Sequence, residues 1–481
     1  MLNPSSQLSG VRAIDVVTGK RLDVFSKVQY VRSSNHGEVN RWARLLYRSF
    51  LNACNPNGHF NEDGIKFSIL DYEREFDFLI ESIRSLGFDL NKGSIPITST
   101  GINNGAHRLA ACLVLRQELT VRWTDSADQI YDYRFMNRIG LPAIFTHAMA
   151  FDLISEMPNS RVFVLTGLEP KVSAFIIKRV EAVCDPIIHV HFLLTEVGKR
   201  RLMSLSYGHN IWWKEEYLET MVHERFAEKN SFGDAIFFLI PEGIDLQDLK
   251  TSLREDLPTG VFNRQIHGSD GYSDTLILAE VLLNENGRRF MNSAPIGSEN
   301  RILNFLADGV NLNPPIGGGR DWCIDGSSVL EIFGIRQARD LDFVSLDLSV
   351  VPDAIRMRGD DHNSEYLEKP ISNTDIIYDP RHHFWYRGFK FAAISTVTFF
   401  KAFDLGDKSI NDLRLVSKFF SQTGPIYRDT SSSRNALKYR VWLKFINLAE
   451  NLIGLSPTFL RARTRALLVG ISRGFKRVLK I

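Results

Sequence analysis

A multidomain α/β and α+β architecture is predicted by three observations. The chain is long, apolar strand-like runs alternate with amphipathic helical runs through most of it, and a short stretch hostile to regular structure interrupts that alternation at residues 314–320. At 481 residues the chain exceeds the size at which one hydrophobic core keeps growing, so about two or three domains are expected. Apolar content of 44% and charged content of 24% are ordinary for a globular protein and exclude a disordered or membrane-spanning class. A formal charge of +2 supplies no global field for a polyanion, so nucleic acid is not an expected partner.

Cys54, Cys112, Cys184 and Cys323 lie far apart and form no CxxC pair, which argues against a zinc site or a disulfide framework and for a reducing compartment. The segment Met1 to Val16 is polar and shows no apolar h-region, and no run reaches the length of a spanning helix. A cytoplasmic location is therefore expected, with the membrane periphery open to the C-terminal tail.

The first recognisable unit follows residue 70, within an expected domain 1–145. Phe76, Leu79, Ile80, Ile83 and Leu86 recur at helical spacing and stop at Gly87. A short strand, Ile95 to Thr98, leads through Gly101 and Asn103-Asn104-Gly105 into a helix from Ala106 to Leu115, and Leu119 to Trp123 reads as another strand. Gly105 lets the backbone approach a ligand at a helix N-terminus, where His107 and Arg108 can add charge-assisted bonds to a phosphate or carboxylate. This Gly-x-His-Arg-x-Ala-Ala segment resembles the phosphate-binding corner of the ParB/sulfiredoxin-like fold. The resemblance covers about residues 70–125 and implies a phosphate pocket without fixing its chemistry. Cys112, the nearest thiol, lies inside the apolar helix and reads as core.

A central α/β domain is expected over 146–315. Val162 to Leu165, Ile187 to Leu194 and Ala235 to Ile240 are strand-like, and helical runs such as Val172 to Ala182 and Asp274 to Leu283 separate them, which predicts βαβ connections and a largely parallel sheet. His189 and His191 share one strand face without a third ligand at recognisable spacing. His267, Asp270 and Asp274 gather in a glycine-containing loop, where Ser273 is a candidate N-cap for the next helix.

Pro314-Pro-Ile-Gly-Gly-Gly-Arg320 marks a boundary, and a third domain is expected over 316–430. Gly326, Ser327 and Ser328 open an amphipathic helix, a place that suits phosphate oxygens. Asp340 and Asp342, one residue apart and flanked by Leu341, Phe343 and Val344, point the same way if they lie on a strand. Two aligned carboxylates suit Mg²⁺ (or Mn²⁺), which completes its octahedron with water and substrate phosphates. Thr374 to Tyr378 reads as a further strand with a carboxylate, Tyr386 to Phe391 as a strand with a tight turn, and Ser395 to Phe403, then Lys408 to Leu413, as helical. His382 and His383 read as surface residues.

Gly-Ser, a helical gap and Asp-x-Asp resemble the signature of the DNA polymerase β superfamily of nucleotidyltransferases, and Lys408-Ser-Ile-Asn-Asp-Leu413 is similar to that group's helical ending. The resemblance covers about residues 320–420 and implies a mixed sheet with helices. It implies metal on Asp340 and Asp342, a third acid at Asp375 (or Asp379) and outer phosphates at Gly326 and Ser327. The expected activity is transfer of a nucleotidyl or phosphoryl group from a nucleoside triphosphate to a small molecule, such as a sugar or surface-glycan precursor. The alternative is a non-catalytic nucleotide-binding regulatory protein.

The last segment, 431–481, carries eleven Lys or Arg from Arg434 onward against the single acid Glu450, with apolar residues at helical spacing. A basic amphipathic helical tail that meets an anionic membrane surface, or a hairpin docked on the protein, is expected there.

Overall fold

Eighteen α-helices and three open β-sheets occupy the described residues, which in this computed structural model are 7–35, 37–56, 66–208, 214–226, 231–257, 263–307, 321–357, 359–366, 370–402 and 406–422. Residues 1–426 gather into one compact unit. The glycine-rich stretch at 314–320 and the basic tail lie outside the described residues. Among the described residues no helix is long and apolar enough to cross a membrane.

The first sheet is formed by β1 (Gln7–Arg12), β2 (Ile95–Thr98), β3 (Gly101–Ile102) and β4 (Glu118–Trp123) in the order β1-β4-β2-β3, with β2 parallel to β4. Helix Ile69–Leu86 precedes it. Ser68 caps that helix by accepting from the Asp71 amide, and Gly87 ends it at φ +75°, so the expected stop is the observed one. Helix Ala106–Leu115 crosses from β3 to β4 and buries Leu109, Ala110, Ala111 and Cys112. Burial pushes the Cys112 thiol up to about 12, as suits a core residue.

The central sheet is formed by β5 (Ser160–Thr166), β6 (Asp185–Leu193), β7 (Phe232–Leu239) and β8 (Ile266–Gly268) in the order β6-β7-β5-β8. Every pairing in it is antiparallel, which corrects the parallel sheet expected from the helix-separated strands. The apolar runs are continuous because both faces are covered. Phe163, Leu165 and Phe238 pack with Ile176, Val180 and Leu253 on one side. Val162 and Val164, pointing the other way, are equally buried, and helices Ala143–Glu156 and Tyr272–Leu282 pack against the sheet. Burial on both faces is usual for parallel sheets but does not require them.

The third sheet is mixed. It comprises β9 (Trp322–Asp325), β10 (Leu341–Ser345), β11 (Gly359–Asp361), β12 (His383–Tyr386) and β13 (Phe389–Ala392) in the order β11-β10-β9-β13-β12. β10 runs antiparallel to β9 and parallel to β11. Arg387 and Gly388, both at positive φ, make the two-residue turn between β12 and β13, the geometry that suits the twist of a hairpin. Buried Glu280 accepts from the Gly388 amide with both carboxylate oxygens at 3.1 Å. Residues 374–378 are not a strand. They belong to helix Asn373–Tyr378, where Ser372 and Asp375 form a reciprocal capping box.

Side chains from the middle of the chain complete the cover of this sheet. Phe290 packs against Phe333, Phe384 and Tyr386. The side-chain amides of Asn284 and Asn286 donate to the carbonyls of Pro380 and His383. Arg201, 1% exposed, donates to Glu299 at 2.7 Å, to the Tyr386 hydroxyl at 2.9 Å and to the carbonyls of Ala294 and Pro295.

Candidate functional site

Four side chains converge where β9 hands over to helix Gly326–Ile332. Gly326 makes the turn at φ +59°, and a Cβ there would fall 2.1 Å from Asp342 Oδ2. Only glycine satisfies both the left-handed backbone and that close approach. Across the ladders Asp342 stands opposite Asp325 on β9 and opposite Asp360 on β11. One carboxylate oxygen from each of Asp340, Asp342 and Asp360 lies within 4.8 Å of the others; Asp342 is buried while Asp340 and Asp360 reach solvent. Oxygen donors alone, three of them acidic, with an open side for water or phosphate, match the demands of Mg²⁺ or Mn²⁺.

Both oxygens of Asp342 are engaged. Oδ2 accepts from the Ser327 amide at 3.1 Å and, more weakly, from Ser327 Oγ at 3.4 Å, while Oδ1 meets His362 Nε2 at 3.3 Å. Ser328 Oγ donates to the Asp340 carbonyl at 3.3 Å, tying the helix start to the strand. His362 also places Nδ1 at 3.5 Å from Asp325 Oδ2, and Tyr366 donates its hydroxyl to that same oxygen. Asp325 is fully buried, and its Oδ1 has no hydrogen-bond partner. Burial opposes charge on His362, but the two carboxylates outweigh it and push its pKa up to about 10. Burial likewise opposes charge on Asp342, and the hydrogen bond and charge of His362, the Ser327 amide and the charge of Lys408 hold it below the usual carboxylate range.

The C-terminal helices brace the corner. Asp412, on helix Asp407–Gln422, is 1% exposed and pairs at 2.8 Å with Arg336, in the loop before Asp340, and at 2.8 Å with Lys401.

The structure thus brings together Gly326, Ser327, Ser328, Asp340 and Asp342, although Asp340 lies just before β10 rather than on the strand expected to carry both acids, and it adds Asp360, Asp325 and His362, which sequence reasoning missed. Gly359-Asp-Asp-His362 carries a visible acidic signal, but a three-residue edge strand has no apolar alternation to place it. Asp375, expected as the third acid, sits in a helix, and its carboxylate accepts from the Ser372 amide and hydroxyl at 3.1 and 3.0 Å. Asp379 is bound to Arg381.

The N-terminal residues are arranged differently from the phosphate corner expected of them. Gly105 does adopt φ +88° at the head of its helix. His107 instead turns onto the aromatic rings of Tyr47 and Phe76, with Nε2 at 2.9 Å from the Tyr47 hydroxyl, and burial holds its pKa well below the ordinary value. Arg108 folds back to donate to the Gly93 carbonyl at 2.6 Å and lies over the Phe88 ring.

Two lesser expectations also change and a third holds. His383 is buried, with Nδ1 at 2.9 Å from the Ile376 carbonyl, and His382 is half-buried, so neither is a surface residue. Gly271, not Ser273, occupies the N-cap before helix Tyr272–Leu282, and Asp274 accepts from the Asp270 amide. His189 and His191 do share a face, and both meet Asp234 Oδ1, at 2.9 and 3.0 Å.

Gly326 offers a direct check on this geometry. Gly326→Ala is expected to lower stability by about 1–2 kcal/mol through backbone strain alone. It should also weaken Mg²⁺-dependent triphosphate binding by at least about tenfold, because Asp342 must move. Calorimetric titration and thermal melting of the same sample measure both, and unchanged binding would detach Gly326 from the site.

Compared with protein-family models, with curated proteins and with solved structures, the chain matches none.

Proposed function

We propose that this protein is a divalent-cation-dependent nucleotidyltransferase-like enzyme that moves a nucleotidyl or phosphoryl group from a nucleoside triphosphate to a small acceptor, such as a sugar or glycan precursor. The convergence of Asp340, Asp342 and Asp360 beside the Gly326-Ser327 turn supports this reading. Mg²⁺ held by these carboxylates would supply charge neutralisation for the phosphates. Asp342 anchors from the buried side, kept ionised by His362 and Ser327. Ser327 holds Asp342 through its amide and hydroxyl, and Ser328, with its hydroxyl on the Asp340 carbonyl, fixes the helix start against the acidic strand. Asp360, open to solvent, is positioned to accept the proton of an acceptor hydroxyl. The basic tail would hold such an enzyme near an anionic membrane.

A second reading, nucleotide binding without chemistry, is favoured by one observation: the Ser327 amide is spent on Asp342 instead of facing outward. Turnover of labelled triphosphate in the presence of candidate sugar acceptors separates the two.

The choice of third acid gives a sharper test. Asp360→Asn is expected to abolish Mg²⁺-dependent triphosphate binding with little change in melting temperature. Asp375→Ala is expected to leave binding intact and to cost about 1 kcal/mol through loss of the capping box. The reverse pattern, in titration calorimetry and denaturant melts, would return the role to Asp375.

A further inference from the structure

Outside the acidic centre, the described residues hold a second concentration of charge, of opposite sign. Arg225 ends helix Leu218–Arg225, and Lys250 and Arg254 lie one turn apart on helix Leu246–Glu255, which packs against β8. Arg225 is only 8% exposed. It lies over the Tyr207 ring at 4.7 Å and donates to the Tyr207 hydroxyl at 3.1 Å, while its buried Nε has no partner. Arg254 donates to the Ile266 carbonyl at 3.1 Å, and its buried Nε is likewise unsatisfied. A Cβ placed on Gly268 would meet Lys250 Cδ at 3.6 Å, so the Lys250 stem runs over the same strand end.

Two nearby acids are committed elsewhere: Glu224 pairs with Arg264, and Asp256 pairs with Arg179. Burial and the charges of Arg254 and Arg225 lower the Lys250 pKa, and Asp270 is the one acid that opposes them. Among the described residues three cations are therefore gathered, each largely buried, and Asp270 is the acid that acts on Lys250. Such an arrangement is costly unless an anion completes it, since buried charge needs a partner and a buried donor needs an acceptor.

We propose that Arg225, Lys250 and Arg254, at the β8 end of the central sheet, form a binding site for a phosphate group separate from the acidic centre. Two guanidinium groups and an ammonium suit tetrahedral phosphate oxygens, which accept several charge-assisted bonds at once. Tyr207 buttresses Arg225 from behind, and Asp270 limits the surplus charge when the site is empty.

The test uses the full chain in EDTA, so that the metal-dependent site is silent. Inorganic phosphate and glycerol phosphate are titrated against sodium chloride at equal ionic strength, with binding followed by calorimetry and by melting temperature. Phosphate is expected to raise the melting temperature where chloride does not. Arg254→Gln and Lys250→Gln are each expected to weaken phosphate binding at least about tenfold. Without ligand, Lys250→Gln is expected to melt at or above the native temperature, because like-charge repulsion is relieved. Asp342→Asn should bind phosphate as the native chain does, which keeps a failure here distinct from a failure at the acidic centre. Equal stabilisation by chloride, unchanged phosphate affinity in both glutamine variants, or a lower ligand-free melting temperature in Lys250→Gln would each overturn the proposal.

Discussion

Asp342→Asn is expected to remove Mg²⁺-dependent binding of nucleoside triphosphate, with a loss of at least about a hundredfold, because changes in groups that merely support a metal ligand already cost 10–100-fold. The reasons are local. Asp342 is the one buried member of the acidic trio, and it stands in register with both neighbouring strands. The fold should tolerate the change, since an asparagine oxygen still accepts from the Ser327 amide and Asp325 still faces His362. Calorimetric titration with and without Mg²⁺, beside a circular dichroism melt, separates the two effects. An unchanged metal-dependent affinity would remove Asp342 from the site.

Arg201→Met is expected to have the largest effect on stability. Its guanidinium holds Glu299 and Tyr386, satisfies two carbonyls and stacks 4.6 Å from the Phe290 ring, all away from water. Removing it leaves the Glu299 carboxylate buried without its cation, a loss of about 3–5 kcal/mol. Arg201→Met combined with Glu299→Leu should recover a good part of this, because no uncompensated charge remains. Denaturant unfolding of the three proteins reads the comparison, and a loss under about 1 kcal/mol in the single variant would show that water reaches Glu299 after all.

What was legible in the sequence was whatever local chemistry determines. The stop at Gly87, the turn at Gly326 and the hairpin at Arg387-Gly388 each follow from backbone preference over a few residues. Thr374 to Tyr378 misled because its isoleucines fit a strand, although Ser372 and Asp375 spell a capping box that starts a helix. The direction of the central strands and the partnership of Asp360 were out of reach for a different reason. Both depend on which strand lies beside which, and that is set by packing between residues far apart in the chain. His107 was misjudged because its aromatic neighbours come from helices well upstream.

The sharing of Arg201, Asn284 and Phe290 with the third sheet also bears on how the chain comes off the ribosome. Their partners Pro380, His383, Phe384 and Tyr386 are translated long after them. At ~5–20 residues per second, the apolar face around Phe290 waits on the order of ten seconds for its cover. Until then it is an exposed sticky surface on a nascent chain, and the central region cannot finish folding by itself. Contacts of such long sequence separation also slow refolding from denaturant. Recovery of native protein should therefore depend on holding the upstream segment soluble while the last strands are made.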